Sequence, residues 1–387
     1  MKITEIRDIV VPIKSAISNA FISFAEMTVS AVAIHTDLKR EGKPVVGFGF
    51  HSNGRYAQQG ILRERMIPRL LNAPPGSLLT DDEHNIDPEQ AWRVMMANEK
   101  PGGHGDRSVA VGTLDMALWD IAAKVEGKPL YQVLADRYST EPPDISVPVY
   151  AAGGYYYRGK DNSELMDEMR SYLDQGYRIV KMKIGGAPLA DDLARIEAVL
   201  KLVPSGECLC VDANARFDLA TALAYAEALA PYNLRWYEEP GDPMDFKLLA
   251  EVAAASSTPI ATGENLFSMQ DSRNLISYGG LDRATDFLQM DPALSYGIVE
   301  YRKTLDMLRE EGWSSRRCVP HGGHQMALHV AAGLHLGGNE SYPGVFRPFG
   351  GFADQPPVRD GEIQLPDAPG IGIELKSDLF QVFRSLL

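Results

Sequence analysis

The chain has 387 residues, 45 % hydrophobic and 23 % charged, proportions that exclude disordered, collagenous and coiled-coil classes and suffice for a large buried core. Lys plus Arg total 38 against 52 for Asp plus Glu; the net charge of −14 repels phosphate backbones and anionic lipid surfaces, so neither nucleic acid nor membrane is expected as a partner. Three sparse cysteines (Cys208, Cys210, Cys318), acids where a leader would be apolar, and no run of about 18 apolar residues point to a soluble protein of the reducing cytoplasm.

Residues 3–13, 28–36 and 44–50 are rich in Val, Ile and Phe with partial alternation, and predict an antiparallel meander. A helix is predicted over 108–125, where Val109, Leu114, Ala117, Leu118, Ile121 and Ala122 recur at helical spacing and Gly127 stands just past the end. Pro142, Pro143 and Pro148 then mark an exposed joint. From residue 147 onward, short β-branched runs alternate with helical stretches, predicting strands at 147–152, 179–184, 208–213, 234–239, 259–263, 287–291, 317–320 and 337–339. No Gly-x-Gly-x-x-Gly follows the first of these strands, and eight regular βα units favour a closed parallel barrel over an open doubly wound sheet. After residue 341 the chain turns rich in Pro and Gly, and is expected to return and pack on the N-terminal meander.

Lys183, Asp212, Glu238, Glu264, Asp291 and His321 each fall at or just beyond a predicted strand end, separated by 29, 26, 26, 27 and 30 residues. One βα unit takes about that many, so a barrel brings all six to the rim where such folds carry out catalysis. Any one carboxylate there could be a helix cap, but independent caps have no reason to recur at equivalent places in successive units. Asp212, Glu238 and Glu264 come from three adjacent strands, and three anions held together call for a divalent cation. Oxygen ligands alone suit Mg²⁺ better than Zn²⁺. Glu239 is a rival ligand, but strand alternation predicts that only Glu238 points inward; by the same parity Cys208 and Cys210 are small core residues.

Lys181 and Lys183 stand two apart on one strand and so share its inward face. A lysine acting as a base near neutrality needs its pKa lowered by roughly three units, which a second cation and a nearby Mg²⁺ favour. On two further strands, a carboxylate at Asp291 that holds one nitrogen of His321 leaves the other free for proton transfer. His324 lies beyond that strand end and opens the next helix, while His329 and His335 fall in an apolar helical stretch and read as core or surface residues.

This pattern of Lys-x-Lys, then Asp, Glu and Glu on successive strands, then Asp and His, resembles the mandelate racemase subgroup of the enolase superfamily across nearly the whole chain. The resemblance implies an α/β fold: a modified TIM barrel, (β/α)7β, at 141–344, with an α+β N-terminal capping domain at 1–140 completed by 345–387. Within the subgroup, the segments 51–56, 98–108, 151–157, 261–268, 294–297, 321–326 and 337–343 are most similar to the D-tartrate dehydratase family. By that resemblance Asp212, Glu238 and Glu264 bind Mg²⁺, Lys183 removes the proton beside the substrate carboxylate, and His321, supported by Asp291, assists loss of the β-hydroxyl. An enediolate on Mg²⁺ then gives a keto acid, oxaloacetate in the case of tartrate. The chain departs from the family wording at Phe21, where Tyr is usual, at Arg158, where Pro is usual, and at Pro240 and Pro292; Phe21 and Arg158 bear on which diacid is taken.

A second substrate carboxylate needs a clamp away from the metal, for which Asn53, Arg55 and Lys100 are candidates, with Lys181, Asn214, Tyr157 and Glu340 as further substrate-binding candidates. The loops 18–23 and 52–59 are placed to close over the barrel mouth and exclude water. The expected partner is a small hydroxy-carboxylate, and the protein is expected to be a homo-oligomer. Competing readings are a dehydratase of longer acid sugars, a racemase, and a non-catalytic metal-binding barrel serving as a scaffold.

Overall fold

Two sheets organise the chain in the computed structural model, which describes residues 1–387 apart from 14, 16, 158 and 160. Strands β1 (Ile3–Pro12), β2 (Thr28–Arg40) and β3 (Lys43–Phe50) form an antiparallel sheet in the order β1-β2-β3, as the alternation predicts. A register irregularity between His35 and Lys39 lets β2 continue four residues past its predicted end. Helix Asp106–Glu126 lies on this sheet and is buried without a break from Ser108 to Ala123, so it has no solvent face along that length. It ends at Gly127, whose φ of 70° supplies the left-handed cap.

That helix also joins the first sheet to the rest of the chain. A Cβ on Gly112 would lie 2.4 Å from the Ala293 carbonyl oxygen, so glycine permits a contact that no other residue would leave unstrained. Three residues on, the buried carboxylate of Asp115 accepts a 2.6 Å hydrogen bond from the Ile298 N–H.

The second sheet is parallel and curled, in the order β10-β4-β5-β6-β7-β8-β9. Its strands are β4 (Ser146–Ala152), β5 (Val180–Lys183), β6 (Leu209–Asp212), β7 (Trp236–Glu238), β8 (Ile260–Thr262), β9 (Phe287–Leu288) and β10 (Asn339–Ser341). The strand predicted at 317–320 is instead a 3-10 turn, Ser315–Arg317, followed by a single bridge from Cys318 to Leu288. Backbone bonds still span the gap, from Val319 N–H to Leu288 O (2.8 Å), Gly337 N–H to Cys318 O (2.9 Å) and Glu340 N–H to Pro320 O (3.3 Å). Pro320 has no N–H of its own to extend a regular ladder there.

After β10 the chain adds a short antiparallel strand, β11 (Glu362–Gln364), to β4 and then returns to the first sheet. Phe380 and Phe383 of helix Ser377–Arg384 pack on Phe48 at ring distances of 5.8 and 5.0 Å. Phe383 is fully buried, which contributes about 2–3 kcal/mol, and the half-buried Phe380 contributes less. The His35 ring and the Arg7 guanidinium both bond the Leu386 carbonyl oxygen. Among the described residues no helix is long and apolar enough to cross a membrane.

Candidate active site

Strand register sets the site. Lys183 pairs with Asp212 across β5 and β6, and Asp212 with Glu238 across β6 and β7, so three ionisable side chains stand in one row at the C-terminal edge of the sheet. Glu264 follows β8 by two residues and brings a third carboxylate; ligand oxygens of Asp212, Glu238 and Glu264 lie within 4.8 Å of one another. Asp212 and Glu238 are fully buried. Burial and the like charge of Asp212 outweigh the nearby Lys181 ammonium and push the Glu238 carboxyl up to about 8.

The donor set is all oxygen, and Glu264 Oε2 is buried with no hydrogen-bond partner, so it has a lone pair to give. Both observations fit a hard divalent ion, Mg²⁺. Lys181, completely buried beneath, places its Nζ 2.6 Å from Glu238 Oε1, 2.7 Å from Glu340 Oε1 and 3.6 Å from Asp212 Oδ2. The Lys183 ammonium donates to Asp212 Oδ2. Burial works to lower the Lys183 pKa, but the Asp212 charge outweighs it and holds the ammonium above its ordinary range. The lowering expected from the sequence draws on Mg²⁺ as well as on Lys181; between the side chains alone, Asp212 outweighs Lys181 at this ammonium.

His321 Nδ1 stands 3.1 Å from Asp291 Oδ2; a carboxylate only accepts, so Nδ1 carries the proton. Its Nε2 is turned toward Glu264 Oε2 at 3.7 Å and Glu340 Oε2 at 3.9 Å. Burial opposes a charged ring, but Glu264 and the Asp291 hydrogen bond prevail and push His321 up to about 9. The surrounding carboxylates thus favour a proton on Nε2 as well as on Nδ1. Asp291 receives a second imidazole as well, with His324 Nε2 at 3.3 Å from Oδ1.

Lys183, Glu264 and His321 open onto one cavity of about 290 Å³, lined also by Asn53, Arg55 and Asn214. The loops of the first sheet supply its lid: Asn19, Phe21 and Ile22 from one, Asn53 to Arg55 from the other. Phe21 is 68 % exposed at the mouth; Arg158 lies outside the described residues. Arg55 donates to Asn265 Oδ1 at 2.5 Å and lies over the Phe267 ring, and Asn265 in turn donates to Glu239 at 2.7 Å.

Four placements differ from what the sequence suggests. Lys100 is exposed on the loop ahead of helix Asp106–Glu126 and does not reach the cavity wall, because Glu99 is pinned by Arg69 and Arg107 while Arg107 also bonds the Lys100 carbonyl. Tyr157 hydrogen-bonds Glu168 instead, since β4 has ended at Ala152 and alternation no longer sets its direction; Tyr155 faces the cavity. Glu239 is not turned away: β7 stops at Glu238, and a φ of 41° swings Glu239 back onto the cavity wall beside it. Cys208 belongs to the turn before β6, so only Cys210 is a buried strand residue. Tyr155, Tyr342 and Asn265 also line the cavity, and sequence reasoning does not single them out; the Gly153-Gly154 break before Tyr155 is the one sequence signal available.

Comparison with known proteins agrees with this architecture. Residues 4–135 match the family described as mandelate racemase / muconate lactonizing enzyme, N-terminal domain, and residues 164–379 match the enolase C-terminal domain-like family. L-talarate/galactarate dehydratase of Salmonella typhimurium is 31 % identical over 350 residues, 90 % of this chain and 81 % of that protein. Among solved structures, a racemase from Streptomyces coelicolor with bound magnesium superposes with a TM-score of 0.78 at 25 % identity, covering 96 % of each chain. L-talarate dehydratase from Polaromonas sp. JS666, complexed with Mg and L-glucarate, gives 0.74 at 28 % identity, covering 95 % of this chain and 92 % of that one. The chain belongs to the mandelate racemase subgroup of the enolase superfamily, and it is an Mg²⁺-dependent enzyme.

Proposed function

We propose that this enzyme is a hydro-lyase that dehydrates an acid sugar, with D-tartrate as substrate and oxaloacetate as product. One observation carries the reading: Lys183 and His321, the latter held by Asp291, face the same small cavity beside a carboxylate triad. Asp212, Glu238 and Glu264 hold the Mg²⁺. When bound, the ion supplies positive charge that offsets the three carboxylates, favours the free amine of Lys183, and stabilises negative charge developing beside the substrate carboxylate. Lys183 Nζ takes the proton from the carbon next to that carboxylate, and the electron pair forms a C=C bond as the neighbouring C–O bond breaks. His321 Nε2 gives its proton to the departing hydroxyl, which leaves as water; the enol then tautomerises to the keto acid.

The size of the site supports a four-carbon diacid, because about 290 Å³ lies at the small end of ligand cavities. Asn53 and Arg55 on the lid are the clamp for the far carboxylate, and Asn214 lies beside the metal ligands. Lys181 and Glu340 act from beneath, by holding Glu238 and the turn at Gly322 in place. On the same reading residues 1–140, completed by 345–387, form the capping domain and 141–344 the barrel. The packing of Phe380 and Phe383 on Phe48 supports that division. We also infer a cytoplasmic homo-oligomer, in keeping with the family and with three cysteines that are all free thiols.

The test is a screen for keto-acid formation over the stereoisomers of tartrate and over longer acid sugars. Turnover of D-tartrate above the others is expected, whereas preference for a longer diacid would reassign the substrate within the same chemistry. The His321→Asn variant is expected to retain solvent deuterium exchange at the α-carbon while forming no keto acid. The similarity to a racemase keeps one alternative in view: exchange with inversion and no loss of water would establish proton transfer without elimination.

A further inference from the structure

His324 enters as the residue that begins helix Gln325–Gly333, with extended backbone and its ring accepting a 3.2 Å bond from the Ala327 N–H at Nδ1. A backbone N–H can only donate, so Nδ1 is unprotonated and the ring proton lies on Nε2. Nε2 is the atom that stands 3.3 Å from Asp291 Oδ1. The helix start thus fixes the tautomer, and the tautomer makes His324 a neutral donor to the carboxylate. Asp291 Oδ1 also accepts from the Ala293 N–H at 2.8 Å, and Oδ2 faces His321 Nδ1. Burial works against the Asp291 charge, but the bonds from His321 and His324 overcome it and hold the carboxyl well below its usual range.

The surroundings leave this arrangement little freedom. His324 is 1 % exposed and meets the Phe50 ring edge-on at 5.9 Å. A Cβ on Gly322, between the two histidines, would come within 2.4 Å of both Asp291 Oδ2 and Ser52 Oγ. We propose that His324 is a positioning residue for the dehydration step: through Asp291 it sets where His321 Nε2 points, and it ties that aim to the start of a barrel helix and to the end of β3. The proposal rests on the acid role given to His321 under the dehydratase reading.

Two substitutions separate positioning from helix capping. Asn at 324 places a carbonyl oxygen where Nδ1 was and is a strong N-cap, but it cannot reach Asp291. Gln places an amide N–H near the position of Nε2 and is a poor cap. His324→Asn is expected to keep the native thermal midpoint while kcat for keto-acid formation falls roughly 10–100-fold, the usual cost of losing a group that orients a site ligand, with KM little changed. His324→Gln is expected to recover most of kcat at a lower thermal midpoint. Native kcat in the Asn variant, or losses in both variants that simply follow stability, would overturn the proposal. Crystal structures of the two variants give a readout that needs no substrate: Asp291 and the His321 ring are expected to shift in Asn and to stay in Gln. An unmoved His321 in the Asn variant would equally end the idea, whereas a native enzyme inactive on every acid would count against the dehydratase reading instead.

Discussion

The barrel rim and the lid above it meet at one cavity but are built on different terms. On the rim, Lys183, Asp212 and Glu238 occupy paired positions of adjacent strands, so their separation is set by the spacing of a hydrogen-bonded sheet. On the lid, Asn53, Arg55 and Phe21 come from loops of the first sheet, and their places depend on contacts such as Arg55 with Asn265. The rim therefore suits groups that must hold fixed distances through a reaction, and the lid suits groups that distinguish substrates. That division predicts a graded series of effects.

Removing the metal should be the most severe. Chelation, or Glu264→Gln, removes several kcal/mol of charge stabilisation and is expected to lower turnover by about a thousandfold or more, restored by Mg²⁺ only in the unmutated chain. Lys183→Ala comes next: loss of the base is expected to reduce both deuterium exchange and keto-acid formation by about 10²–10⁴-fold, with Mg²⁺ binding intact by calorimetry. Activity within tenfold of native would show that the rim does not carry the chemistry. On the lid, Arg55→Ala should mainly raise KM, by roughly 10–100-fold, since a charge-assisted bond is worth about 1.5–3 kcal/mol. A fall in kcat with KM unchanged would instead place Arg55 with the rim.

The smallest effect lies outside both regions. His329 is buried against Tyr131, whose N–H it accepts at Nδ1, and burial lowers its pKa from 6.5 to about 3. The folded state thus refuses a proton that the unfolded chain takes up below pH 6.5. This group's contribution is complete above pH 6.5 and is lost as pH falls toward 3, by about 1.4 kcal/mol per unit. Urea unfolding at pH 7 and pH 5 should show about 2 kcal/mol less pH-dependent loss in His329→Asn than in the native chain. Identical slopes would mean that His329 keeps its proton on folding.

The antiparallel sheet and the parallel barrel could be read from β-branched runs and their spacing, because alternation and repeat length are properties of local sequence. Intervals of 26 to 30 residues pointed to one rim for the same reason. Strand parity failed where strands stop. Parity points Glu239 outward, but a left-handed backbone turns it in, and Tyr155 rather than Tyr157 lines the cavity. Beyond a strand end, direction is decided by backbone dihedrals and by whichever partner is nearest, neither of which a periodic pattern encodes.

By itself, then, the amino-acid order determined which side chains carry charge, how many units separate them, and hence that a hard cation and a proton-transfer pair could meet at one edge of a barrel. Only the tertiary structure decided the finer matters: that Asp212 outweighs Lys181 at the Lys183 ammonium, that two histidines share Asp291, and that Lys100 stays at the surface. The reason is range. Periodicity reports on neighbours a few residues apart, whereas ionisation and aim are set within a few ångströms by groups far apart in the chain.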